Sequence, residues 1–255
     1  MRTTAILNLK GGVGKTTTVI HMAYLLQRYD NARVLVVDCD PQCNLTQFYA
    51  ADPKNGSTSQ VLVNGDELFG IVSIQPTTVP GPDILAADDS LMELDLSQLQ
   101  TSRVKPMVFR SMVMELARRD QYDYILFDCP PAFNSACAAA LIAADDVIVP
   151  IKLDAFSVTG MANILRQVKN MQKINSRLRV AGVLPTMWYK SREIVDAEAI
   201  LRRSSLHVFP HIRRSNHVDK VSFDRALSSA HTGHMRDYKV FVAEYMEQGG
   251  RHGNV

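Results

Sequence analysis

The segment Lys10-Gly11-Gly12-Val13-Gly14-Lys15-Thr16-Thr17 places three glycines ahead of a lysine and two threonines. Glycine lets successive backbone N–H groups turn toward one anion. The helix expected to follow adds the positive end of its dipole. In such a loop Lys15 reaches terminal phosphates and the Thr16 hydroxyl meets magnesium. The chemistry expected here is the binding of a nucleoside polyphosphate.

Two acidic motifs suit the same chemistry. In Val37-Asp38-Cys39-Asp40-Pro41-Gln42-Cys43-Asn44-Leu45-Thr46, two carboxylates two residues apart stand just past a β-branched run. Sheets of the class expected below present ligand groups at the carboxyl ends of their strands, so both could face one crevice. In Ile125-Leu126-Phe127-Asp128-Cys129-Pro130-Pro131 an apolar strand ends in Asp128, an arrangement that holds magnesium through water or hydroxyl ligands.

The elements that must position these groups follow from periodicity. Strands are expected over Thr3–Leu9, Arg33–Asp38, Tyr124–Asp128, Asp146–Pro150 and Arg179–Pro185, each a continuous apolar run suited to a parallel sheet covered on both faces. Helical spacing is read over Thr18–Tyr29, Val104–Arg118, Asn134–Ala144, Val158–Ile174, Arg192–Arg203 and His234–Glu247. Strands alternating with helices predict a doubly wound, mostly parallel α/β fold, as one domain over residues 1–255. Asp52–Pro82, rich in Gly, Pro, Ser and Thr, is expected to be the least regular segment.

With 255 residues, 46% apolar and 21% charged, the composition excludes disorder, collagen and coiled coil. The longest apolar run, Ala136–Ala144, falls short of the roughly 20 residues of a membrane span. Met1–Leu9 lacks the pattern of a signal peptide, so a soluble, cytoplasmic protein is expected. Cys39, Cys43, Cys129 and Cys137 are read as reduced thiols. Neither Cys39/Cys43 nor His231/His234 has a second pair at zinc-like spacing. A net charge of +2 hides an asymmetry: residues 1–150 carry 11 Lys and Arg against 17 Asp and Glu, residues 151–255 carry 17 against 9. The basic half is a candidate polyanion surface.

Lys10 preceding the glycines, with Leu9 where the general pattern has glycine, is the deviant Walker A arrangement. On this loop, the Asp38–Thr46 motif and Asp128, the sequence resembles the ParA/MinD family of P-loop ATPases. The resemblance implies ATP and Mg2+ as cofactors and a homodimer in which Lys10 enters the partner's nucleotide site. It gives Asp40 the positioning of the attacking water and places Asp38, with Thr16 and Asp128, around the magnesium. Lys10 through Thr17 would hold the phosphates, with Lys10, Lys15 and Asp40 catalytic. Thr186 and Met187 match the strand end near the adenine, whereas Ile212-Arg213-Arg214 departs from the family's Ile-Pro-Arg. Pro150–Gly160 resembles a segment near the dimer interface, and Asp154 within it is given no catalytic role.

Within the family, the glycine-rich tail Glu247–Val255 is a poor match to the amphipathic membrane helix of the MinD branch. Cys129 and Cys137 do not suit the cluster-bridging cysteines of the iron-protein branch. The ParA branch implies ATP-dependent binding to DNA without sequence preference, a ParB-like activating partner, nucleoid association and no membrane. Arg192, Arg202, Arg203, Arg213, Arg214 and Lys220 are the candidate DNA contacts. Two other readings share the motifs: an ATPase that positions a protein cargo, and a DNA-binding regulator that uses ATP as a conformational switch.

Overall fold

In the computed structural model, which describes residues 1–77, 81–97, 104–154, 157–216 and 232–250, six parallel strands form one sheet in the order β3-β2-β4-β1-β5-β6. They are β1 (Arg2–Ile6), β2 (Val34–Asp38), β3 (Asp83–Leu85), β4 (Tyr124–Asp128), β5 (Asp146–Lys152) and β6 (Arg179–Thr186). Successive side chains of a strand point to opposite faces, and the core divides accordingly. Ala5, Leu35, Val37, Ile125, Phe127, Val147 and Val149 pack on one face; Ile6, Val34, Val36, Leu126 and Ile148 pack on the other. The unbroken apolar runs Val34–Val37 of β2 and Ile125–Phe127 of β4 are therefore what a sheet with two covered faces requires.

The face of Ile6 is covered by α1 (Lys15–Asp30), α2 (Asn44–Phe48) and the last described helix. The other is covered by α3 (Thr58–Asn64), α4 (Glu67–Val72), α5 (Ser90–Ser97), α6 (Val108–Arg118), α7 (Ser135–Ala143), α8 (Ser157–Met171) and α9 (Arg192–Arg202). The last helix, α10 (Gly233–Gly250), buries Met235, Tyr238, Phe241, Val242 and Tyr245. No helix among the described residues is long and apolar enough to cross a membrane.

The doubly wound parallel fold is as expected, two local readings are corrected, and one strand was not foreseen. Asp52–Pro82 contains α3 and α4, whose first turns are capped by the Ser57 and Asp66 side chains; these caps satisfy backbone donors that composition alone does not reveal. The three-residue strand β3 was too short for a periodic signal. The helix expected to end at Glu247 continues through Gly249 and Gly250. Arg2 supplies the reason: its Nη1 donates to the Tyr245 carbonyl at 2.7 Å, and a side chain at Gly249 would meet that same nitrogen.

Candidate nucleotide site

Adjacent strand ends assemble the site. β1 leads into the glycine loop, Asp128 ends the neighbouring β4, and Asp38 ends β2, directly opposite Asp128 in register. Gly12 (φ 68°) and Gly14 (φ 84°) adopt left-handed backbone, which glycine accepts without penalty. Space for a further atom is open at Gly11 and Gly12. Asn8 pins the entry, donating through Nδ2 to the Pro150 carbonyl at 2.6 Å and accepting from the Lys10 backbone N–H at 2.9 Å. Thr186 Oγ1 donates to the Val13 carbonyl at 2.9 Å, so the end of β6 braces the loop from the far side.

Lys15 is buried, and its Nζ donates to the Lys10 carbonyl at 3.2 Å. Burial lowers its pKa, against the opposing pull of Asp128 and Asp40. Asp38 is also buried, with three internal donors: Oδ1 accepts from the Asp40 N–H at 3.1 Å, and Oδ2 accepts from the Thr46 N–H at 2.9 Å and Thr46 Oγ1 at 2.7 Å. Burial pushes its pKa up to about 6 despite those bonds. Asp40 is buried and turns back on its own loop, Oδ1 accepting from the Gln42 N–H at 2.9 Å.

Asp128 is the opposite case. Both its oxygens are buried with no hydrogen-bond partner. Burial, then the Asp38 charge, raises its pKa well above the ordinary carboxylate range; the Thr16 hydroxyl lies near enough to oppose the rise without reaching hydrogen-bond geometry. A buried carboxylate without partners is costly unless a cation completes it. Two vacant oxygens, a hydroxyl nearby and a second carboxylate on the next strand suit the oxygen preference of magnesium. With the open glycine cradle and Lys15 beside it, the residues present fit a magnesium–nucleotide pair. Asp38, its oxygens already engaged, fits an indirect part as the residue that holds Asp40 and Thr46 in place.

A cavity of about 320 Å3 opens beside Gly14 and Thr17, walled by Thr186, Met187, Tyr189, Ile212, Arg213, Arg214 and Tyr238. Thr186 and Met187, which the resemblance sets near the adenine, line this cavity next to the loop. Tyr189, two residues on from Met187, was within reach of the same motif; Tyr238 on α10 had no local signal.

The candidate DNA cations divide. All five described ones are exposed; Arg203 and Arg214 are in no ion pair among the described residues, and Arg192 lies 3.9 Å from Asp196. Arg202 and Arg213 are held by carboxylates. Arg202 is bound to Glu198 at 2.7 Å and donates to the Val208 and Phe209 carbonyls. Arg213 makes a two-pronged pair with Asp237, at 2.7 and 2.9 Å, and walls the cavity. Lys220 lies outside the described residues.

A glycine loop between a first strand and helix, with a carboxylate on the neighbouring strand end, defines a P-loop nucleotide-binding protein. Residues 1–180 match the family described as an AAA domain. The chain is 32% identical over 200 residues to the chromosome partitioning protein ParA of Caulobacter vibrioides, across 78% of this chain and 74% of that one. Its fold is similar to that of apo McdA from Cyanothece, with a TM-score of 0.83 and 25% identity over 96% of this chain and 99% of the other. It is also similar to cobyrinic acid a,c-diamide synthase from Mycobacterium smegmatis, solved with ADP and magnesium, with a TM-score of 0.79 and 28% identity over 100% and 97%. The chain belongs to the ParA family of P-loop ATPases.

Proposed function

We propose that this chain is a partition ATPase whose two protomers close around two magnesium–ATP pairs, bind DNA without sequence preference and reopen after hydrolysis stimulated by a ParB-like partner. The observation that carries the nucleotide reading is the buried, unpartnered Asp128 carboxylate beside the open loop and Lys15. Similarity to the partitioning protein ParA supports the DNA-cargo reading over the protein-cargo and regulator readings.

When bound, magnesium–ATP supplies a phosphoanhydride bond activated for in-line attack by water. The N–H groups from Gly11 to Thr16 hold the phosphates, and Lys15, already desolvated, neutralises them without further reorganisation. Thr16 and Asp128 would hold the metal. Asp40 accepts the proton side of the attacking water and orients it, and Asp38 fixes the Asp40 backbone through its bond to that N–H. Lys10, with 47% of its side chain exposed, leaves its own protomer and enters the partner's site. Thr186, Met187, Tyr189 and Tyr238 form the wall for the base. Arg192, Arg203 and Arg214 supply phosphate contacts. The setting is a cytoplasmic, nucleoid-associated protein.

The test is sedimentation and binding to random-sequence duplex DNA with ADP, with a slowly hydrolysed ATP analogue and without nucleotide. Dimer formation and DNA binding with the ATP analogue alone are expected. A protein that dimerises on the analogue yet binds no DNA would move the reading to a protein cargo.

A further inference from the structure

Most arginines of the described surface are held by carboxylates. Arg33 is paired with Asp120 and Asp123, Arg118 and Arg119 with Glu115, Arg202 with Glu198, Arg213 with Asp237, and Arg2 and Arg179 with Asp146. One segment supplies no carboxylates of its own: Arg177, Arg179 and Arg192 in it pair with Asp145, Asp146 and Asp196 from outside, while Arg166, Lys169 and Lys173 are in no ion pair among the described residues. From Ala155 to Arg192 the sequence has no Asp or Glu, while carrying Arg166, Lys169, Lys173, Arg177, Arg179, Lys190 and Arg192.

Arg166 and Lys169 on α8, and Lys173 in the turn that ends it, are spaced by three and four residues and so share one face. All three are exposed, while Ile164, Val168 and Met171 on the other side of the helix are buried. Arg166 donates to Asn163 Oδ1 at 3.1 Å, and neither lysine is in an ion pair among the described residues. Arg177 extends the row, its side chain 61% exposed and 3.7 Å from Asp145.

The topology places this row away from the nucleotide. β5 and β6 are parallel, so α8 runs back from the nucleotide end of the sheet. Arg166, nine residues beyond Ser157, lies about 13 Å down the helix at 1.5 Å per residue, and Lys169 and Lys173 lie farther. After β6, α9 also runs back, because Val208 beyond it pairs parallel with Val183. Arg203, at the end of α9, therefore reaches the same end of the sheet as Lys169 and Lys173. Arg192 and Arg214 stay at the nucleotide end.

The geometry points to a DNA-backbone surface formed by Arg166, Lys169 and Lys173 of α8 and continued by Arg203 of α9. The inference rests on the DNA-binding reading above and adds to the contacts at Arg192, Arg203 and Arg214 a row at the far end of α8. Unpaired cations interleaved with Asn163, Asn170 and Gln172 match the phosphate and sugar contacts that position a protein on a duplex. An anionic membrane would require an apolar insertion face on the same side; next to the α8 row only Ile174 is an exposed large apolar side chain among the described residues, Tyr189 lying beyond β6 and Val195 and Ile200 on α9. Protein interfaces are depleted in lysine and enriched in aromatic groups, and the row has lysine without aromatics.

The test compares wild type with the triple variant Arg166→Ala, Lys169→Ala, Lys173→Ala, measuring affinity for random duplex DNA over a salt series with ATP analogue. Three lost phosphate contacts should make the slope of log affinity against log salt shallower by about 2 to 3 units. Nucleotide-driven dimerisation, basal turnover and melting temperature should be unchanged, and Lys169→Arg with Lys173→Arg should keep the wild-type slope. An unchanged slope and affinity in the triple variant overturns this surface while leaving DNA binding itself standing. Absence of DNA binding by the wild type overturns both readings. Loss of binding to phosphatidylglycerol vesicles, with DNA binding intact, assigns the row to a membrane and overturns the proposal.

Discussion

Lys10 Nζ donates to Asp154, tying the head of the glycine loop to a carboxylate two residues past the end of β5. In the single protomer the lysine proposed to cross to a partner is thus held at home. The pair is partly exposed, at 47% and 29% of the two side chains, so its worth is small, about 0.2–1 kcal/mol. Two such pairs are released per dimer, so Asp154→Asn should lower the protein concentration needed for ATP-driven dimerisation by roughly two- to thirtyfold, read by sedimentation. Lys10→Ala should abolish the dimer while monomer nucleotide affinity changes little. If Lys10→Ala instead removes nucleotide binding by the monomer, Lys10 serves its own site.

Asp38 and Asp128 are neighbours in register with opposite hydrogen-bonding, and their replacements should move stability in different directions. Asp38→Ala strands the Asp40 N–H and both Thr46 donors in the interior. Each buried donor left unpaired costs about 1–3 kcal/mol, so a large drop in melting temperature is expected without ligand. Asp128→Asn removes a buried charge that has no internal partner, so the unliganded melting temperature should not fall, while magnesium-dependent stabilisation by ATP disappears. Thermal melts with and without magnesium–ATP measure both.

Lys15 and Asp40 separate binding from hydrolysis. Lys15→Ala should weaken nucleotide binding by roughly 10- to 100-fold, the worth of one or more charged hydrogen bonds at about 1.5–3 kcal/mol. Asp40→Ala should bind ATP and dimerise but turn over poorly, leaving a persistent DNA-bound dimer. Equal partner-stimulated turnover in Asp40→Ala and wild type would assign the water to another group.

His21 on α1 gives a pH dependence. It is fully buried, its Nδ1 lies 2.8 Å from the Thr17 carbonyl, its ring stacks on Tyr238 at 4.2 Å, and His234 meets it edge-on at 5.6 Å. Burial lowers its pKa from 6.5 to about 4. The unfolded chain then binds the extra proton first, so the stability from the neutral ring is whole above pH 6.5 and is lost as pH falls toward 4. Its size is on the order of 3 kcal/mol, from 1.36 kcal/mol per pKa unit. Denaturant melts from pH 7 to 4 should show that loss, and His21→Phe should show less of it. Equal acid sensitivity in the two proteins would remove His21 as the cause.

The parts legible in the sequence were those written in consecutive residues. The loop from Lys10 to Thr17 and the strand-terminal Asp38 and Asp128 carry their chemistry in short local motifs, and the apolar runs of β2 and β4 fix the sheet that presents them. The partners of those groups were not legible, because they arrive from distant chain. Asp154 is 144 positions from Lys10, Arg213 meets Asp237 across 24, and Tyr238 reaches the nucleotide cavity only because α10 packs on α1. Ser57 and Asp66 were the available cap signals for α3 and α4, and the Gly, Pro and Ser content around them obscured both helices.

Arg213 and Arg214, adjacent in the chain, should behave as different kinds of residue. The Arg213 pair with Asp237 joins the strand-like segment after α9 to α10, and its N–H also donates to Asp237 at 3.0 Å. Arg213→Ala should lower the melting temperature and weaken nucleotide binding through the cavity wall it shares with Met187 and Tyr238, with DNA affinity falling only in step with the loss of dimer. Arg214 lines the same cavity but is in no ion pair among the described residues, so Arg214→Glu should leave the melting temperature unchanged, and its DNA binding is compared at saturating nucleotide. It should weaken ATP-dependent DNA binding equally for all sequences and reduce the salt slope by about 1 unit, the signature of one lost phosphate contact. Measuring affinity for two unrelated duplexes at two salt concentrations, alongside melts, checks both variants. A sequence-dependent loss in Arg214→Glu would indicate base contact, and an unchanged slope would remove Arg214 from the DNA surface and leave its place to the cations at the far end of α8 and α9.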